Sequence, residues 1–242
     1  MNIPERIERL MALSVMLFVS LVCSNVWANS EGEWQPVKSP QDPMEVRTWV
    51  KPVAGASIKA FRGEVELPYS WLEVLTILDR IELYPQWVFR CASARRAEGG
   101  GLYLNFKGVW PVSDRDVYTR SRVVVDDEVI SILTENNEAV IDDHDGFVRI
   151  PTLENSFEVI PLASGNTRVV FTTYVDPGGS VPRWLSNFVA TSGPLETLQG
   201  MRQMLEQYSL GDKATLAELS PMYEPVKAEL GGLLCVQSDT VC

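Results

Sequence analysis

Residues 107–123 read KGVWPVSDRDVYTRSRV, and the fold turns on how this stretch is read. Trp110-Pro111 is apolar and rigid, because proline fixes its own φ and restricts the residue before it. An acid–base–acid triplet follows, Asp114-Arg115-Asp116. The chain then alternates as a strand does. Val117, Thr119, Ser121 and Val123 fall on one face, Tyr118, Arg120 and Arg122 on the other. The first face reads as inward and the second as wet. At the head of such a strand, the triplet is open to three readings: a catalytic cluster, a metal site, or a corner held by ion pairs.

Upstream of this stretch, residues 57–67 (SIKAFRGEVEL) alternate as a strand, after a short strand in MEVRTWVK. Pro68 opens a helix in which Trp71, Val74, Leu75 and Leu78 recur at helical spacing,. WVFRCASARRAE and GLYLNFKGV read as two strands around EGGG,. Downstream, VISILTENNE is a strand and NNEAVIDDHDG a loop. FVRIPTLENSFEVIPL and TRVVFTTYVDP are strands around the turn ASGN,.

One long helix is expected from Val181 to Tyr208, opened by Pro182 and kinked at Gly193-Pro194,. Trp184, Leu185, Phe188, Val189, Leu195, Leu198, Met201, Met204 and Leu205 give it a broad apolar stripe,. The order is strand, helix, many antiparallel strands, long helix. That is α+β: a curved antiparallel sheet wrapped around a C-terminal helix, with an apolar cavity between the two as the natural ligand site.

The 242 residues are 45% hydrophobic and 22% charged, with 32 acids, 21 bases and net charge -11. This balance argues against nucleic acid as a partner, which needs a basic footprint. It also argues against general attraction to anionic lipid surfaces. Leu10–Ala28 is an uncharged apolar-to-small run after Arg6 and Arg9, ending in Val-Trp-Ala. It reads as a signal peptide over 1–28, hence export to the periplasm. The alternatives are an uncleaved anchoring helix, or acylation at Cys23, where Val22 departs from the small residue expected.

After cleavage Cys91, Cys235 and Cys242 remain. Cys235 and Cys242 are close enough in sequence to close a small loop, and Cys91 reads as a buried thiol. With a single His, His144, and no CxxC, a Cys/His zinc site is not expected, and no cofactor is,. His144 reads as an exposed loop residue.

Several segments then fall in a telling order: FRGEVELPYSWLEVLTILDRIELYPQW, the Trp-Pro-x-Ser-Asp-Arg-Asp stretch, GFVRIP, the Pro-Leu-x-x-Gly-x-Thr turn, Asp-Pro-Gly-Gly-x-x-Pro, and PLETLQGMRQML. Together they resemble the StAR-related lipid-transfer (START) domain family over roughly residues 50–208. On that basis 29–49 is a lead-in and 209–242 a C-terminal tail outside the match. The resemblance implies a helix-grip fold whose tunnel holds one lipid, such as a sterol, phospholipid or ceramide. It implies a lid made by a loop at about Thr134–Gly146 and by the helix start at Val181–Ala190, opening in transient contact with a membrane. Some sterol-binding relatives carry an Arg on the strand after the triplet, inside the tunnel. Here the inward face offers Ser121, a departure that counts against a sterol preference.

Under this resemblance the triplet reads as an ion-paired corner in which Arg115 bridges carboxylates and satisfies backbone carbonyls. A second reading lets Arg115 reach the lipid headgroup. Catalysis by Asp114 or Asp116 finds no partner base or nucleophile. The expected lining is Trp87, Phe106, Thr119, Ser121, Phe157, Phe171, Tyr174, Phe188, Leu195 and Met201, with Arg115 at the headgroup.

The expected function is lipid binding or transfer, not enzymology. Helix-grip cyclases and aromatases need positioned acid–base groups, and none can be assembled here. A lipid-sensing interaction module, using the tail, is the remaining alternative.

Overall fold

The computed structural model describes residues 32–56, 58–97, 100–137, 146–208 and 214–237. The signal-peptide and Cys23 expectations, most of the expected lid loop, His144 and the Cys235–Cys242 pairing lie outside the described residues or side chains.

Ten strands form one sheet: β1 (Gln35–Lys38), β2 (Arg47–Pro52), β3 (Lys59–Leu67), β4 (Cys91–Arg96), β5 (Leu102–Phe106), β6 (Arg115–Asp126), β7 (Val129–Asn136), β8 (Val148–Arg149), β9 (Thr152–Pro161) and β10 (Thr167–Asp176). Their order is β1-β2-β3-β10-β9-β7-β6-β5-β4, all antiparallel, and β8 pairs parallel with β6. The last strand therefore sits mid-sheet, between β3 and β9. The α+β helix-grip expectation holds.

Helix α1 (Trp71–Asp79) starts three residues after Pro68, and the signal that sets its start is Ser70. The Ser70 hydroxyl accepts from the Glu73 N–H (3.3 Å), while the Glu73 carboxylate accepts from the Ser70 N–H (3.0 Å), a reciprocal cap,. Val88–Arg90, expected at the start of a strand, instead follow a helical turn, α2 (Tyr84–Trp87), and β4 begins only at Cys91. The single strand expected over 147–162 is split at Ile150-Pro151, since proline has no N–H for the ladder,.

Helix α3 (Arg183–Gln207) runs continuously through Pro194. Its second half lies on α2 so closely that a Cβ on Gly200 would stand 2.6 Å from the Trp87 carbonyl oxygen. Only glycine permits that approach.

One large apolar core joins α1, the inner face of the sheet and α3 through Trp71, Leu75, Val65, Val169, Leu198, Met201 and Leu205. A smaller cluster of Leu104, Val117, Ile150 and Leu153 lies toward the sheet edge.

The segment read as a tail departs from that expectation over 214–237. Two 3₁₀ turns (Leu216–Glu218, Pro221–Val226) lead into α4 (Lys227–Gln237). Leu219, Tyr223, Leu230 and Leu233 are buried in the main core. Asp79 anchors the segment, accepting from the Ser220 N–H (2.7 Å) and hydroxyl (2.5 Å).

Candidate functional site

The sheet and α3 close fully around the second half of the helix but not around the first. Between them is a pocket of about 220 Å³. Its walls are apolar: Phe61, Phe89, Phe106, Ile150, Leu153, Phe171 and Val175 from the sheet side, Val109 and Val112 from the β5–β6 loop. From the helix come Leu185, Val189, Gly193, Pro194 and Thr197.

These helix residues stand four apart (185, 189, 193, 197), so they form one stripe. The stripe shrinks from Leu to Gly and Thr, and small side chains leave the sheet uncovered there.

A second pocket of about 200 Å³ lies deeper. It shares Val88, Phe106, Asn155, Phe171 and Thr197 with the first, so the two are neighbours on either side of these residues. The deeper one carries Trp87, Thr119, Ser121, Thr134, Phe157 and Cys91. Phe157 and Phe171 stack at 4.3 Å, and Trp87 meets Phe157 edge-on at 6.4 Å,.

Polar groups interrupt this wall. The Ser121 and Thr134 hydroxyls bond each other (2.8 Å), and the Asn155 side-chain amide oxygen accepts from the Thr173 hydroxyl. The Trp87 indole N–H is buried with no acceptor among the described residues. Burial pushes the Cys91 thiol up to about 12, which keeps it a neutral thiol,.

Strand alternation takes the triplet apart. Arg115 shares the face of Val117 and Thr119 and lines the outer pocket. Asp116, one residue on, faces the other side of the sheet. There it is 1% exposed and holds the Arg149 guanidinium through two bonds of 2.8 and 3.0 Å. It also accepts from the Tyr103 hydroxyl at 3.0 Å, and burial first, then this bond, raises the Tyr103 pKa. Arg149 lies over the Tyr118 ring, 5.2 Å from its centre,.

Asp114 precedes the strand and organises the loop. It accepts from the Gly108 N–H (2.8 Å) and pairs with Lys107 at 3.6 Å, and the Gly108 bond leads in holding its pKa below the usual carboxylate value. Trp110, in that loop, is 88% exposed.

The ion-paired corner thus exists, with a different arginine. Arg149 bridges Asp116, and among the described residues Arg115 donates to the carbonyls of Ser113, Pro177 and Gly178. Arg149 lies 33 positions from Asp116 and arrives through the parallel β6–β8 pairing, which no local spacing announces.

Of the expected lining, Trp87, Phe106, Arg115, Thr119, Ser121, Phe157 and Phe171 stand at these two pockets. Four residues line neither. Tyr174 is three positions from Phe171 on β10 and therefore on the opposite face, where with Arg120 and Arg122 it borders a larger, more polar and more open pocket of about 1090 Å³. Phe188 points to solvent, 49% exposed. Met201 is packed solid in the core, and Leu195 packs against that core partly buried.

No family model matches the chain. Among curated proteins it is 28% identical, over 72% of its length and 88% of the relative's, to an uncharacterized protein of Pseudomonas aeruginosa. It is 30% identical to the phosphatidylcholine transfer protein of Rattus norvegicus over 44% of this chain and 52% of that one. Among solved structures, a STAR-related lipid transfer protein fragment from Xanthomonas axonopodis superposes with a TM-score of 0.65 and 26% identity. That match covers 72% of this chain and 99% of the fragment.

Proposed function

Because the chain belongs to the StAR-related lipid-transfer (START) family, we infer that it holds one lipid molecule in the hollow between the sheet and α3. The observation that carries this reading is the apolar outer pocket, whose lining holds no carboxylate and which shares walls with the deeper one. Burying an acyl chain there gains about 0.8 kcal/mol per CH₂, so binding needs no covalent chemistry. Among the described residues no group of His, Cys, Asp and Glu is placed to hold a metal. The named relatives are lipid-transfer proteins.

Transient membrane contact belongs to the same reading. Trp110, Trp184, Phe188 and Val189 are exposed, and each lines the outer pocket or flanks a residue that does. Indole rings suit the water–hydrocarbon boundary. These residues form an apolar rim, and the helix start beside it is the part that would move to admit a chain. No described helix is long and apolar enough to cross a membrane.

Export to the periplasm is part of the proposal and rests on the sequence of 1–28 alone. The mass of the mature chain tests it.

Native mass spectrometry of the purified protein, with organic extraction, tests the carrier reading. A stoichiometric lipid adduct is expected. A protein that arrives empty and takes nothing from vesicles would contradict it.

A further inference from the structure

The carrier reading leaves the class of lipid open, and the charges at the outer pocket narrow it. Four ionisable residues line that pocket: Lys59, Arg90, Lys107 and Arg115. All four are basic, in a chain whose net charge is -11. Three are exposed at the rim; Arg115 is inside, 7% exposed, among apolar walls. The guanidinium has five N–H donors. Its recorded acceptors are the Ser113 carbonyl, the Pro177 carbonyl at 3.4 Å and the Gly178 carbonyl at 3.5 Å. The last two are long bonds, and two donors remain.

Among the described residues no carboxylate lies within ion-pair distance of Arg115. Asp114, next to it in sequence, is turned to Gly108 and Lys107. Burial is the stronger influence on Arg115 and lowers its pKa, while attraction to Asp114 acts the other way. A buried cation without a counter-ion is costly to the protein alone.

We propose that this pocket takes an amphiphile with an anionic head, phosphate or carboxylate, seated on Arg115 beneath a rim of Lys59, Arg90 and Lys107, with its chain along the apolar wall. Bidentate recognition of such oxyanions is the task a planar guanidinium performs best. The inference rests on the carrier reading. It also departs from the expectation set by the overall charge of -11, since the ionisable residues lining this mouth are all basic.

The test is uptake from phosphatidylcholine vesicles of fixed composition. These carry, as a trace component, either acyl-labelled phosphatidic acid or the diacylglycerol with the same labelled chains. Vesicle surface charge is then constant and only the head of the cargo differs. Phosphatidic acid should be preferred about tenfold or more, the scale of one charge-assisted hydrogen-bond pair.

Arg115→Gln should bring the two cargoes toward level by lowering phosphatidic acid uptake more than diacylglycerol uptake; an unchanged preference in this variant would overturn the proposal. Since Arg115 also holds three carbonyls, its variant is checked for a native circular dichroism spectrum. The double variant Lys59→Gln/Lys107→Gln, confined to the exposed rim, should lower the preference in part. Equal uptake of both lipids by the unaltered protein would overturn the anionic head and leave the carrier reading standing. Uptake of neither, with no phosphatidylcholine on the recovered protein by mass spectrometry, would overturn both; phosphatidylcholine bound in their place would overturn the anionic head alone. Inhibition by inorganic phosphate at the lipid's own concentration would also overturn it, by marking a site for small anions in place of an amphiphile.

Discussion

The two halves of α3 are one continuous helix and do opposite things. From Leu198 onward Leu198, Met201, Met204 and Leu205 are buried to 3% exposure or less, clamped between the sheet, α1 and α2. Before Pro194, Trp184, Phe188 and Val189 are exposed, and Leu185 and Val189 border a pocket. Both halves are rich in large apolar residues. The difference lies in what stands opposite: in the second half the sheet meets the helix directly. In the first it is held away, and the facing stripe ends in Gly193, Pro194 and Thr197. A grip thus consists of a tight end that supplies stability and a loose end that supplies a cavity.

The comparison breaks most sharply at Gly200. Gly200→Val drives a branched side chain into the Trp87 backbone and should cost about 3 kcal/mol or more, or prevent folding,. Leu198→Ala, in the same tight half, should cost about 2–5 kcal/mol by urea denaturation. Phe188→Ala or Trp184→Ala, in the loose half, should stay within about 0.5 kcal/mol. Either loose-half variant should nonetheless slow lipid transfer between vesicles. Equal destabilisation by Leu198→Ala and Phe188→Ala would erase the distinction.

A similar contrast holds across β6. Arg149→Leu removes the partner of a buried carboxylate and should cost about 2–3 kcal/mol, less than a fully buried pair because Arg149 is partly exposed,. Its lipid uptake per folded molecule should be unchanged, because Arg149 stands on the face away from the pocket. Asp79→Ala, which frees the 214–237 segment at Ser220, should lower the urea denaturation midpoint. The smallest effect concerns pH. Asp114 has a folded pKa below its unfolded value. Its contribution is complete above the unfolded value and is lost as pH falls through the folded one. Asp114→Asn should flatten that part of an acid titration of stability, followed by fluorescence.

Strand alternation made much of this visible in sequence. It placed Thr119, Ser121 and Val123 inward, and the same parity puts Arg115 inside and Asp116 outside. Parity also separates Tyr174 from Phe171, so that misplacement was avoidable. The helix side was harder. Apolar size marks what fills a core, and a cavity is left where side chains are small; Phe188, Leu195 and Met201 were chosen by size. The stripe at 185, 189, 193 and 197 carries the opposite signal. The 214–237 segment hid behind Pro221, Pro225 and Gly231-Gly232, although Leu219 and Tyr223, then Leu230 and Leu233, recur at helical spacing. The partnership of Asp116 with Arg149 is a product of topology and has no local trace.

The most direct measurement is photo-crosslinking with a lipid that carries a diazirine in its acyl chain, followed by peptide mapping. A lipid held between the sheet and the loose half of α3 predicts adducts on β5, β10 and residues 181–197, including Phe106, Phe171 and Leu185. Adducts confined to the outer face around Arg120, Arg122 and Tyr174, or none above an unfolded control, would contradict a lipid held in the grip.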